Sequence, residues 1–191
     1  MTSIADLERD TYDAMWELPQ YQGEPSPGAQ FAPLFSTIAL PRSTVLDAGC
    51  GNGKGALTLA SQGFSVYTCD ISSAGLPPIW PLPFFQAAVW DDLTGWNDGT
   101  YDWVYCCNVL EHLPPQFTML AVSQMLRIAT HGVFLTVSTQ PDGLGIWIGK
   151  SLRPTVQGFT WWRDSLRELS IVFEARDLVG AAVFVLEGRA T

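Results

Sequence analysis

The sequence predicts an α/β protein: a doubly wound, mainly parallel sheet of seven strands with helices on both faces, ending in an antiparallel hairpin. Three observations predict it. Short apolar runs alternate with stretches of helical spacing from residue 44 onward. The first run breaks into a glycine-rich turn from which a helix restarts at once. The last two strands are separated by only about six residues, residues 176–181, too few for a parallel crossover.

Taken in order, residues 6–17 form a first helix, with Tyr12 and Trp16 on one face at i, i+4 spacing. Leu18-Pro19 and the Pro- and Gly-containing stretch 24–28 break it, and a second helix runs over 29–38. Strands follow at 44–47, 65–69, 84–88, 103–107, 133–137, 171–175 and 182–186. Helices fit 53–62, 115–129 and 160–169, whereas 72–82 is too rich in proline for a long one. The chain of 191 residues reads as one domain, residues 1–191, with a helical N-terminal part at 1–40 and a core at 41–191.

Composition narrows the function. A net charge of −9 argues against a surface built for nucleic-acid phosphates, although Arg153, Arg163 and Arg167 could form a local basic patch. No apolar run approaches a membrane span, and the N-terminal residues have neither a basic flank nor a signal-type apolar segment. The 4 cysteines form no C-x-x-C pair, so neither a zinc site nor a disulfide framework is indicated and a reduced, cytoplasmic setting is expected. With 8 tryptophans in a chain of this size, some are expected to line a pocket or an interface.

The glycine turn is the most informative motif. It reads Asp47-Ala48-Gly49-Cys50-Gly51-Asn52-Gly53-Lys54-Gly55, and glycine suits it because no Cβ blocks a ligand and positive φ costs little. A dinucleotide fold needs G-x-G-x-x-G, but Lys54 occupies the sixth position. A P-loop needs a glycine where Ala48 stands and a Ser or Thr where Gly55 stands. Without a ligand the same residues would simply be a tight turn. The remaining pattern, D-x-G-x-G-x-G, resembles the class I S-adenosylmethionine-dependent methyltransferases, which have a Rossmann-like sheet with a terminal hairpin. The N-terminal Tyr12, Trp16, Tyr21 and Ser26-Pro27-Gly28, with the later segments 149–156 and 159–162, resemble small stand-alone members met in phage and bacterial genomes.

The resemblance implies S-adenosyl-L-methionine as cofactor and assigns roles residue by residue. Asp47, Gly49, Cys50, Gly51, Asn52 and Gly53 would wrap its amino-acid half. Asp70, ending the second strand, would accept from the ribose hydroxyls, the alternative being a helix N-cap. Ile71 would pack near the adenine, and the Trp90-Asp91-Asp92 loop would read it, with Asp91 preferred to Asp92 as nearer the strand end. Asn108, Glu111 and His112 follow the fourth strand, where open α/β sheets bind ligands. Asn108 would hold cofactor or acceptor, His112 would take a proton, and Glu111 would orient it or bind a cationic substrate. The bland reading is that Glu111-His112-Leu113-Pro114 only starts the next helix. Tyr12, Trp16, Tyr21 and the Ser26-Pro27-Gly28 turn would form a lid, and the segment 149–156 with 159–162 would recognise the substrate, Tyr12, Trp16, Tyr21, Arg153 and Trp161 contacting the acceptor, or the aromatic residues are core. No metal is expected, because no third ligand accompanies His112 at a matching spacing.

The expected reaction is methyl transfer to an O or N atom of a small molecule, the alternative being a non-catalytic cofactor-binding module. Base methylation of DNA is disfavoured, since Asn108-Val109-Leu110-Glu111 stands where N-P-P-Y is wanted and no Pro-Cys occurs. A short-chain dehydrogenase would need Tyr-x-x-x-Lys, but Cys50 and Ile146 precede the two lysines, Lys54 and Lys150, at that spacing.

Overall fold

The computed structural model describes residues 2–23, 25–143, 145–178 and 180–188; Glu24 of the expected break and Val179 of the expected hairpin turn lie outside them. Helix α1 (Ile4–Trp16) begins with a capping box: Ser3 Oγ accepts from Asp6 N–H while the Asp6 carboxylate accepts from Ser3 N–H. Pro19 ends α1 but opens a single further turn, α2 (Pro19–Gln22), because proline at the first helical position gives up an N–H that had no partner anyway. The same chemistry corrects the start of α3 (Pro27–Phe35). Ser26 caps it by accepting from Ala29 N–H and Pro27 is its first residue, so part of the expected break is a helix start.

The core follows as β1 (Thr44–Ala48), α4 (Lys54–Ser61), β2 (Ser65–Asp70), β3 (Phe84–Gln86), β4 (Tyr101–Cys107), α5 (Pro115–Ile128), β5 (Ala129–Ser138), α6 (Phe159–Ser165), β6 (Ile171–Leu178) and β7 (Ala181–Glu187). The strands form one sheet in the order β3-β2-β1-β4-β5-β7-β6. β1 to β5 are parallel, and β7 inserts antiparallel between β5 and β6. Residues 45–48 and 104–107 are buried without alternation, as expected of central strands covered on both faces. One face packs a core that includes Leu46, Val104, Met125 and Trp162; the other packs Phe31, Phe35, Leu59, Tyr105 and Phe134.

Boundaries differ where tertiary pairing overrides local pattern. β3 stops at Gln86, after which Ala87 N–H turns to the Asp70 carbonyl. β5 begins at Ala129 because its first residues pair with β4, and α6 ends at Ser165 rather than reaching 169. The order of strands reverses between β1 and β4, so the crevice outside their C-terminal ends is where a ligand is expected.

Candidate functional site

The crevice holds a cavity of about 280 Å³. Its floor is the glycine loop between β1 and α4. Gly49, Gly51 and Gly53 have φ of 78°, 54° and 75°, and the N–H groups of Gly49 and Cys50 both donate to the Cys69 carbonyl, tying the loop to the end of β2. Asp47 is buried below it and accepts from Ala56 N–H in the first turn of α4, which satisfies a helix-end donor. Burial, then the nearby Asp70 charge, push the Asp47 carboxyl up to about 7, against that hydrogen bond.

Asp70 lies across the loop from Asp47. Its Oδ2 accepts from Gly51 N–H at 2.8 Å and its Oδ1 from Ser72 N–H at 3.0 Å. Each oxygen therefore retains acceptor capacity toward the cavity it lines. Burial raises its pKa above the ordinary value, partly offset by the backbone bonds from Ser72 and Gly51.

Helix α1 lies over this floor. The Trp16 ring rests on Gly51 and Gly75; a Cβ at Gly75 would come within 2.6 Å of it. Arg9 Nε donates to the Ile71 carbonyl, and Ser72 Oγ donates to the Asp13 carboxylate. One turn before Trp16, the Tyr12 hydroxyl lies 3.1 Å from His112 Nδ1 and 3.3 Å from the Leu152 carbonyl. His112 sits on a 3-10 turn after β4, and burial, then the Arg153 charge, pull its pKa down to about 4. Its imidazole is thus neutral at neutral pH. Asn108 has φ of 53°, an uncommon conformation for a non-glycine residue, held by its N–H to the Thr136 carbonyl and by Thr136 Oγ1 donating to Oδ1.

The cavity brings together most of the residues singled out by sequence. Asp47, Gly49, Cys50, Gly51 and Asn52 line it, as do Asp70, Ile71, Trp90, Asn108 and His112, with Tyr12, Trp16, Tyr21 and Arg153 completing the wall. Four lie outside that lining. Gly53 caps α4, and the space its side chain would need is filled by the Trp80 ring. Asp91 is exposed, and its neighbour Asp92 closes the loop instead by accepting from Ala88 N–H. Trp161 is 40% exposed, edge-on to Trp162, which is fully buried in the core.

Glu111 is the fourth. It is fully buried on the other side of the turn from the cavity, with Oε1 accepting from Ser138 N–H and its carbonyl accepting from Thr155 N–H. It joins the turn after β4 to the end of β5 and to the loop that carries Arg153. Burial raises its carboxyl from 4.5 to about 7, the Ser138 bond and Arg153 opposing. The folded protein therefore binds this proton more tightly than the unfolded chain does, and the stability it contributes is lost as pH rises from about 4.5 to about 7. Glu111→Gln is expected to reduce the loss of thermal stability between pH 5 and pH 8; an unchanged difference would show that Glu111 does not titrate in this window.

Sequence reasoning missed Glu8 and Asp142, which also line the cavity with Leu152 of the 149–156 segment. Asp142 accepts from Gly145 and Leu152 N–H groups and so closes the 142–152 loop; Asp-Gly at 142–143 was the available turn signal. Glu8 carries no local signal. Gly55 was singled out only for spoiling a P-loop. It allows α3 and α4 to touch backbone to backbone, since a Cβ there would lie 3.0 Å from Gly28 Cα. All 4 cysteines are free and buried. Among the described residues no group of three or more His, Cys, Asp or Glu is placed to hold a metal ion, and no helix is long and apolar enough to cross a membrane.

Comparison with known proteins bears on this site. A family profile described as a methyltransferase domain matches residues 21–181. The chain is 28% identical over 138 residues to the ubiquinone biosynthesis O-methyltransferase of Vibrio parahaemolyticus, covering 64% of this chain and 57% of that protein. It is 33% identical over 103 residues to the chloroplastic magnesium protoporphyrin IX methyltransferase of Arabidopsis thaliana, covering 49% of this chain and 32% of that one. The chain thus spans well under two thirds of the length of these curated relatives. The crystal structure of magnesium protoporphyrin IX methyltransferase from Synechocystis with bound SAH superposes with a TM-score of 0.69 at 19% identity, covering 97% of this chain and 99% of that one. With the profile matched over most of its length on a sheet of this order, the chain belongs to the class I S-adenosylmethionine-dependent methyltransferases.

Proposed function

We propose that this protein transfers a methyl group from S-adenosyl-L-methionine to an O or N atom of a small molecule. The observation that carries this reading is Asp70, which keeps acceptor capacity on both oxygens at the edge of a glycine loop and under a helix that covers the cavity. When bound, the cofactor supplies a methyl group activated by its sulfonium, passed on in line as the carbon–sulfur bond breaks. Asp70 would hold the ribose hydroxyls, and Asp47 with Gly49, Cys50, Gly51 and Asn52 would enclose the amino-acid half. Ile71 and Trp90, which line the cavity, would enclose the adenine.

On the acceptor side, Asn108 positions cofactor or acceptor, and neutral His112 takes the proton of a hydroxyl or amine as the new bond to carbon forms. Tyr21 and Arg153 flank the acceptor, and α1 and α2 act as the lid that excludes water from the cavity, while α3 packs into the core of the same domain. A small acceptor is favoured because Glu8, Asp47, Asp70 and Asp142 give the wall acidic character, which disfavours a phosphate backbone. The free cysteines suit a reduced cytoplasmic setting.

Calorimetric titration tests the reading. S-adenosylmethionine and S-adenosylhomocysteine are expected to bind and nicotinamide dinucleotides are not; no heat from the first two would refute it. His112→Ala is expected to leave cofactor affinity unchanged, because the imidazole bonds to Tyr12 rather than to Asp70 or the glycine loop. A large loss of affinity would move His112 to the cofactor side.

A further inference from the structure

We propose that Tyr12 is the positioning residue of the acceptor side: its hydroxyl, donated to the Leu152 carbonyl, accepts from His112 Nδ1–H and so leaves the lone pair of Nε2 as the one presented to the cavity. The inference rests on His112 being the acceptor-side base, and it concerns which ring nitrogen that base uses. Neither Tyr12 nor Leu152 is near His112 in sequence, 100 residues separating Tyr12 from it.

Three atoms share two protons. The Leu152 carbonyl accepts only. It lies 3.3 Å from the Tyr12 oxygen, and it is also an acceptor beside the imidazole. The Tyr12 oxygen lies 3.1 Å from Nδ1. The hydroxyl has one proton to give. If it gives that proton to Nδ1, Nε2 carries the ring proton and has no lone pair for a base, while the carbonyl loses the hydroxyl as donor. If it gives the proton to the carbonyl, Nδ1–H donates to the hydroxyl oxygen and every group in the triangle is satisfied. Among the described residues the side-chain hydrogen bond of the ring is at Nδ1, and His112 lines the cavity, so Nε2 is the nitrogen left to face it.

The surroundings keep both protons in place. Burial, followed by the charges of Glu8, Asp70, Glu111 and Asp142, holds the Tyr12 phenol far above its ordinary range, so it stays a hydroxyl. Burial and then the Arg153 charge keep the imidazole neutral, against the Leu152 carbonyl and Asp142. Because Tyr12 and Trp16 share one face of α1, the helix that covers the glycine loop also sets the base. An α1 displaced from the cavity leaves His112 without its Nδ1 partner.

Nitrogen NMR reads the tautomer directly. The chain has 2 histidines, so long-range proton–nitrogen correlations of labelled protein at pH 7 are readily assigned, with exposed His131 as the internal reference. The spectrum is recorded with and without S-adenosylhomocysteine. His112 is expected to show a protonated Nδ1 and an unprotonated Nε2, and Tyr12→Phe is expected to lose that single pattern while still binding S-adenosylhomocysteine. A protonated Nε2 in the wild-type spectrum overturns the assignment on its own, whether or not the variant folds. An unchanged Nδ1–H pattern in Tyr12→Phe also overturns it. Failure of S-adenosylhomocysteine to bind would instead overturn the cofactor reading, leaving the wild-type tautomer to decide the role of Tyr12.

Discussion

Replacing Asp70 with alanine is expected to weaken S-adenosylmethionine binding by roughly 10- to 150-fold, the equivalent of about 1.5–3 kcal/mol for lost hydrogen bonds to a charged group. The carboxylate has two jobs at this position. Toward the protein it accepts from Gly51 and Ser72 N–H groups, fixing the glycine loop against the end of β2. Toward the cavity it offers the remaining lone pairs. Asparagine is a poor substitute, because its amide nitrogen must face one of those two N–H donors. Asp70→Asn is therefore expected to lose affinity comparably and to lower the thermal midpoint as well. The sign with pH follows from burial, which raises the Asp70 pKa above its ordinary value. Affinity is expected to fall as pH is lowered toward that pKa, since a protonated carboxyl gives up acceptor capacity. Calorimetry on both variants decides the matter: wild-type affinity in Asp70→Ala would remove Asp70 from the cofactor site.

The fold and the residues lining the glycine-loop end of the cavity were legible because their signals are local. The D-x-G-x-G-x-G spacing lies within one turn, Asp70 ends a readable strand, and the short link between the last two strands permits only an antiparallel pair. What failed to show was the direction in which neighbouring side chains point. Glu111 and His112 are adjacent on one 3-10 turn, yet one is sealed beneath the end of β5 and the other lines the cavity. Trp161 and Trp162 are adjacent on α6, and the roughly 100° between successive helical residues puts one in the core and the other at the surface. Asp91 and Asp92 divide in the same way, with Asp92 held in a backbone hydrogen bond. Long-range partnerships were equally hidden. The Tyr12–His112 contact and the Glu111–Ser138 bond depend on chain segments that only the sheet order brings together. Ser26-Pro27 misled for another reason: the residues that favour a turn also favour the first positions of a helix.

Phe35→Ala is expected to destabilise the protein by about 3–5 kcal/mol and to lower the thermal midpoint by roughly 6–20 °C. Phe35 closes α3 with no exposed surface, and its ring centroid lies 5.1–5.7 Å from those of Phe64, Trp103, Tyr105 and Phe134. Those four come from β4, β5 and the turn before β2, so truncation opens a cavity whose walls are rings anchored in the sheet, with little freedom to collapse inward. A typical domain has a total stability of about 5–15 kcal/mol, so this one side chain accounts for a large fraction of it. The consequence reaches the site through α3 itself. At its other end the Gly28 carbonyl accepts the Tyr105 hydroxyl at 2.6 Å, and Gly28 rests on Gly55 while forming part of the cavity wall. Phe35→Leu keeps most of the apolar contact and is expected to cost much less. Chemical denaturation of the three proteins, with and without S-adenosylmethionine, separates the effects. If Phe35 acts only through the core, the stabilisation gained from the cofactor is the same in the variant as in the wild type. A smaller gain means that α3 shifts and takes Gly28 with it, and a loss of under about 1 kcal/mol would contradict the packing of α3 against the sheet.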